Sequence, residues 1–123
     1  PVMTIGWCFG GGWSLKAAIE AGDRGKAGVM YYGMPVKEQK QLEGLEADIL
    51  GLFAKQDDWI TPEVVEEFDA LMEEAGHSFQ YEVYDAKHAF ANPSRPVYKE
   101  KAAEQANASA LEFLREHLRD AKE

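Results

Sequence analysis

The stretch Val2-Met3-Thr4-Ile5-Gly6-Trp7-Cys8-Phe9-Gly10-Gly11-Gly12 limits what this chain can fold into more than any other. A short apolar run meets a glycine, the only cysteine follows two residues later, and three glycines then open a helix-like segment. Such a run reads as a strand turning sharply into a helix with a thiol at the bend, the cysteine form of a nucleophile elbow. Gly6 and Gly10, on either side of the thiol, remove side chains that would collide where strand and helix fold together. At a helix N-terminus the unpaired amides and the macrodipole favour an anion, so a depressed Cys8 pKa is expected. The amide of Phe9, the next residue, is placed to donate to a developing oxyanion. Burial as a small hydrophobe is the ordinary fate of a free cysteine, but a core cysteine needs no glycine frame.

The remainder alternates strand and helix. Val2 to Ile5 reads as a buried-type strand and Phe9 to Ala21 as a helix, with Trp13, Ala17 and Ala18 among its inward residues and Gly22 at its C-cap. Ala27 to Tyr32 is a second buried strand, stopped by Gly33-Met34-Pro35. The charged stretch Val36 to Glu46 holds at most one short helix, and Asp48 to Phe53 is a third strand. Thr61 caps the next helix, Pro62 suits its first turn, and Val64, Val65, Phe68, Leu71, Met72 and Ala75 recur at helical spacing until Gly76. Phe79 to Tyr84 alternates as a strand with one wetter face. A long helix from Pro96 to Lys122 closes the chain on a stripe of Ala103, Ala106, Ala110, Phe113 or Leu114, and Leu118. The pattern predicts an α/β fold, a mostly parallel sheet of about four strands with helices on its faces.

The totals narrow the function classes. Thirteen Lys and Arg against 22 Asp and Glu give a net charge of −9, which argues against binding nucleic acid or an anionic membrane. No apolar run is long enough to span a bilayer, and no charged-then-apolar signal segment opens the chain. One cysteine allows no internal disulfide and no cysteine-rich zinc site, and a cytoplasmic location is expected. No metal or cofactor is called for.

In a parallel sheet the functional groups lie on loops beyond the carboxyl ends of the strands. Cys8 follows the first strand, Asp57 the third and His88 the fourth, the chain order of nucleophile, acid and base in α/β-hydrolases. His88 would hold the thiolate as an ion pair and later hand a proton to the leaving group; Asp57 would fix its tautomer and stabilise the imidazolium. His77 and His117 read as ordinary surface histidines. Asp58 competes with Asp57 for the acid's role, and Trp59 and Phe90 are either packing residues or substrate contacts at the cleft mouth.

Gly6-Trp7-Cys8-Phe9-Gly10-Gly11, the segment from Leu50 to Glu63, and Tyr84-Asp85-Ala86-Lys87-His88-Ala89-Phe90-Ala91-Asn92 resemble the catalytic blocks of the dienelactone hydrolase family. Tyr32-Gly33-Met34-Pro35 also resembles a loop of that family. The resemblance covers nearly the whole chain. It implies Cys8 as nucleophile, His88 as base and Asp57 as acid, acting on a small ester or lactone through an acyl-enzyme. It further implies that residues 1–123 correspond to the C-terminal half of the family's α/β-hydrolase domain, which is about twice as long. The absent half would hold several strands and the loop that donates the second oxyanion N–H. One of the family's substrate arginines falls there too, and another is replaced by Asn92.

A half-domain of this kind would leave Val2 to Ile5 as an open apolar edge, which invites pairing with another chain. A homo-oligomer joined near the first strands is therefore expected. The competing reading is a non-catalytic half-domain, an interaction module that keeps the elbow because its backbone turn needs the glycines.

Overall fold

The computed structural model describes residues 1–122. The elements run β1 (Val2–Trp7), α1 (Phe9–Ala21), β2 (Gly25–Tyr31), β3 (Asp48–Ala54), α2 (Pro62–Glu74), β4 (Phe79–Tyr84) and α3 (Glu100–Lys122), with 3-10 turns at Gly22–Arg24 and Gln39–Leu42. The strands form one four-stranded sheet in the order β1-β2-β3-β4, every pairing parallel. The expected parallel architecture is therefore what forms.

Side chains alternate across a strand, so each strand feeds two cores. On one face Met30, Ile49 and Phe53 pack against Leu15 and Ala18 of α1 and Val65, Phe68 and Met72 of α2. On the other, Ala27, Val29, Tyr31, Leu50 and Leu52 pack with Ala106, Ala110 and Phe113 of α3. A two-sided sheet of this kind needs continuous apolar strands, and β2 and β3 supply them. β1 differs. Ile5 and Trp7 remain 43% and 46% exposed, although Trp7 stacks on Tyr31 with ring centroids 5.1 Å apart.

Helix α2 forms as its capping residues dictate, with Thr61 Oγ1 accepting from the Val64 amide at 3.3 Å. Helix α1 is held by polar bonds as well as by packing. Thr4 Oγ1 donates to the Ser14 carbonyl and Ser14 Oγ donates to the Val29 carbonyl, both at 2.9 Å. Asp48 and His117 join the start of β3 to α3 at 2.8 Å, so His117 is no ordinary surface histidine.

Several sequence expectations are corrected. Trp13 and Ala17 face outward; the inward stripe of α1 is Gly11, Ser14, Leu15 and Ala18. These positions follow helical spacing, but glycine and serine on the inner face hide it from a hydrophobic pattern. Leu118 is 42% exposed at the far end of α3, beyond the buried stripe. That helix begins at Glu100 and not Pro96, because Arg95 and Tyr98 close successive turns onto Asn92 and Arg95 and the Lys99 amide reaches back to the Phe90 carbonyl at 3.0 Å. Between Val36 and Glu46 only the 3-10 turn forms.

Candidate active site

Cys8 stands between β1 and α1 with φ 55° and ψ −122°. Its amide still follows the sheet, donating to the Tyr31 carbonyl at 3.1 Å, while its carbonyl already accepts from Gly11 at 2.9 Å. The bend between the two is tight: a Cβ on Gly6 would lie 1.9 Å from the Gly10 carbonyl oxygen. Glycine is obligatory at position 6. Gly10 corrects the symmetric reading, since a Cβ there meets nothing within 4 Å. The second close approach lies elsewhere, where a Cβ on Gly33 would come within 2.5 Å of the Gly11 carbonyl carbon and clamps the first turn of α1 to the loop after β2. Phe9 occupies the first helical position, whose N–H has no intrahelical acceptor.

The loops after β3 and β4 run side by side. The Lys55 amide donates to Tyr84 at 2.8 Å and the Gln56 amide to Ala86 at 2.9 Å, extending the parallel pairing past the strand ends. This brings Asp57 to His88, whose Nδ1 lies 2.6 Å from Asp57 Oδ2. A carboxylate only accepts, so Nδ1 carries a proton, and in the neutral ring this leaves the lone pair on Nε2. Asp57 Oδ1 takes the Trp59 amide at 2.9 Å and the Ile60 amide at 3.0 Å. The buried carboxylate is thereby fully engaged, whereas Asp58 is exposed. The His88 ring is flanked by Tyr32, 5.1 Å away, and by Trp59, edge-on at 5.9 Å.

Cys8 and His88 open on one cavity of about 700 Å³, walled also by Tyr32, Trp13, Met34 and Trp59. Its lining is mainly apolar and aromatic, suited to a small organic molecule. Trp59 is 72% exposed at its rim. Phe90 does not line it. That residue is fully buried against Tyr32 and Tyr84, in the core beneath α3, which removes it as a substrate contact. Among the described residues no cluster of His, Cys, Asp or Glu could hold a metal ion, and no helix is long and apolar enough to cross a membrane.

The electrostatics correct a second expectation. Burial pushes the Cys8 thiol up, the Arg95 charge opposes this, and the Asp57 charge adds to it. Desolvation is the largest of these influences. Ionising the sulfur therefore needs a proton acceptor at hand. Arg95 had no signal in the sequence; it follows Asn92, whose Oδ1 is taken by the Ser94 hydroxyl at 2.7 Å and the Ser94 amide at 3.0 Å. Tyr32 was legible only as part of a loop motif. Cys8, Tyr32 (φ 38°) and Ala89 (φ 68°) are the non-glycine residues with positive φ among those described; the first two line this cavity and the third directly follows His88. Strain of that kind collects where a fold must hold groups for chemistry.

A family model described as the dienelactone hydrolase family matches residues 1–118. A Bradyrhizobium protein named as a 2-oxo-3-(5-oxofuran-2-ylidene)propanoate lactonase is 30% identical, over 93% of this chain and 50% of its own. A Saccharolobus solfataricus protein named as a carboxymethylenebutenolidase is 28% identical, over 93% of this chain and 44% of its own. Among solved structures, a Klebsiella pneumoniae protein named as a dienelactone hydrolase superposes with a TM-score of 0.81 at 28% identity, covering 90% of this chain and 50% of that one. A dienelactone hydrolase-like promiscuous phosphotriesterase from metagenomic libraries shares the fold with a TM-score of 0.81 at 21% identity. The chain spans about half the length of the curated relatives it matches.

Proposed function

The chain belongs to the dienelactone hydrolase family, and from that premise we propose that it cleaves small carboxylic esters or lactones through Cys8, His88 and Asp57 by way of an acyl-enzyme. The observation that carries the reading is the bonded Asp57–His88 pair opening on the same cavity as the thiol.

Nε2 of His88 takes the Cys8 proton as Sγ attacks the carbonyl carbon. Asp57 keeps the imidazole in the acceptor tautomer and stabilises the imidazolium. The tetrahedral oxyanion accepts from the Phe9 amide; collapse breaks the ester C–O bond, and the leaving alkoxide takes the proton from Nε2. A water then gives its proton to Nε2 and attacks the thioester; collapse breaks the C–S bond, releasing the acid, and the Cys8 sulfur takes the proton back from Nε2. Phe9 supplies the oxyanion donor, and loss of one such donor costs on the order of 100-fold to 1000-fold in rate. Trp59 forms the rim against which the substrate's apolar part rests.

Turnover of p-nitrophenyl acetate tests the reading. Wild type releases p-nitrophenol with a burst, and Cys8→Ala abolishes it; equal turnover by the two proteins sinks the proposal. The same reading places a second copy of the chain along β1, where Ile5 and Trp7 are half exposed. Sedimentation at micromolar concentration is expected to give a dimer or larger, and a folded monomer would refute that part alone.

A further inference from the structure

Tyr32 is a residue whose hydroxyl the mechanism above does not use. Its side chain is 1% exposed, yet the hydroxyl is the one buried side-chain polar atom among those described that lacks a hydrogen-bond partner. Phenylalanine would fill the same space without leaving a donor unpaired. The ring is held firmly, by Phe90 at 5.4 Å, Tyr31 at 5.9 Å and His88 at 5.1 Å. Its backbone, strained at φ 38°, is pinned by the amide's 2.7 Å bond to the Leu52 carbonyl. The fold thus holds a buried donor rigidly in the wall of the cavity that contains Cys8.

We propose that Tyr32 belongs to the nucleophilic centre: its hydroxyl, unpartnered in the free protein, donates a hydrogen bond to the Cys8 sulfur when that sulfur carries negative charge. The inference rests on the reading of Cys8 as nucleophile. A neutral thiol is a weak acceptor and a thiolate a strong one, so the bond forms as the proton leaves for His88 and the sulfur turns about its Cα–Cβ bond toward the fixed hydroxyl. An interaction made in the charged state and absent before it favours the step that needs it. Two further observations fit. Burial holds the Tyr32 phenol well above the usual tyrosine range, and the charge of Cys8 adds to the rise, so the phenol stays protonated as a donor beside a thiolate. The Ala91 backbone opposes this shift but does not reach hydrogen-bonding geometry. Burial and the Asp57 charge hold the Cys8 thiol up while the Arg95 charge opposes them, so a donor to the sulfur favours its ionisation.

The chain's single cysteine makes the test direct. Alkylation by iodoacetamide is followed against pH for wild type and Tyr32→Phe, with thermal unfolding of both. The expected result is an upward shift of the alkylation midpoint by about one pH unit or more in Tyr32→Phe, with thermal stability equal to wild type or higher. An unchanged midpoint in a folded variant overturns the proposal. Should the variant fail to fold, 3-fluorotyrosine placed at position 32 is expected to lower the midpoint, and no movement there overturns it equally. If wild type does not turn over p-nitrophenyl acetate but the midpoint still shifts, the hydrolase reading falls and the Tyr32 hydrogen bond stands. Intact turnover with an unshifted midpoint removes Tyr32 alone.

Discussion

The two halves of the candidate site are built on opposite principles. On the β3–β4 side, Asp57 is buried and saturated, with one carboxylate oxygen on two amides and the other on His88. On the β1 side, Cys8 occupies a strained bend at the sheet's edge, its thiol in no disulfide and without a hydrogen bond among the described residues, and its neighbours Trp7 and Phe9 are 46% and 90% exposed. The first half is stabilised by hydrogen bonds the fold makes locally. The second is held by backbone sterics, through glycines that permit contacts no other residue allows. A base and its orienting acid need only two adjacent loops, whereas a nucleophile must be presented by the chain's geometry and charged by its neighbours.

This contrast can be broken from either side. The largest effect is expected from the relay. Asp57→Asn should lower ester turnover by on the order of 10³ to 10⁴-fold, because an amide at that position permits the wrong imidazole tautomer. Steady-state kinetics check it, and a change under about tenfold would mean His88 does not depend on Asp57. Breaking the other side acts on stability. Gly6→Ala forces a Cβ into the Gly10 carbonyl, and urea denaturation should show a loss of about 3 kcal/mol or more.

Alkaline pH sharpens the comparison, because buried phenols and the thiol titrate in one direction. Burial pushes the Tyr31 hydroxyl up to about 12 from 10.0, and Cys8, Tyr32 and Tyr84 also move up. A folded pKa above the unfolded one means the native state binds the more protons between the two values, so stability falls as pH rises there. Tyr31's contribution is thus complete below pH 10 and is lost on the way to about pH 12. Melting temperatures measured from pH 8 to 12 should drop across that window, and Tyr31→Phe should flatten the drop. The smallest effect belongs to Gly10→Ala, which meets open space inside a helix and should stabilise by about 0.5 to 1 kcal/mol. Opposite signs at Gly6 and Gly10 would show that, of these two, only Gly6 is required by the bend.

What could be read from the sequence follows the same division. Thr61 with Pro62, the apolar stripe of α2 and the glycines around Cys8 announce themselves because local chemistry decides them. The chain order of Cys8, Asp57 and His88 was legible for a similar reason, since parallel strands deliver their loops to one end of the sheet. The inner face of α1 was not, because Ser14 is inward for its hydrogen bonds and Gly11 for its lack of a side chain. Phe90 and Trp59 looked alike in sequence; only packing under α3 decides that one is core and the other rim. The direction of the Cys8 shift was hidden too. A helix terminus is visible in a sequence, but desolvation is set by residues that arrive from elsewhere in the chain.

The bonds from Thr4 to Ser14 and from Ser14 to Val29 bolt the first helix to two strands at once. No slack segment separates them from the bend, since β1 ends at Trp7 and the helix begins at Phe9. A twist imposed along the outer strand is therefore passed whole to the sulfur, and anything that docks against that flank of the sheet has a lever on the thiol's aim.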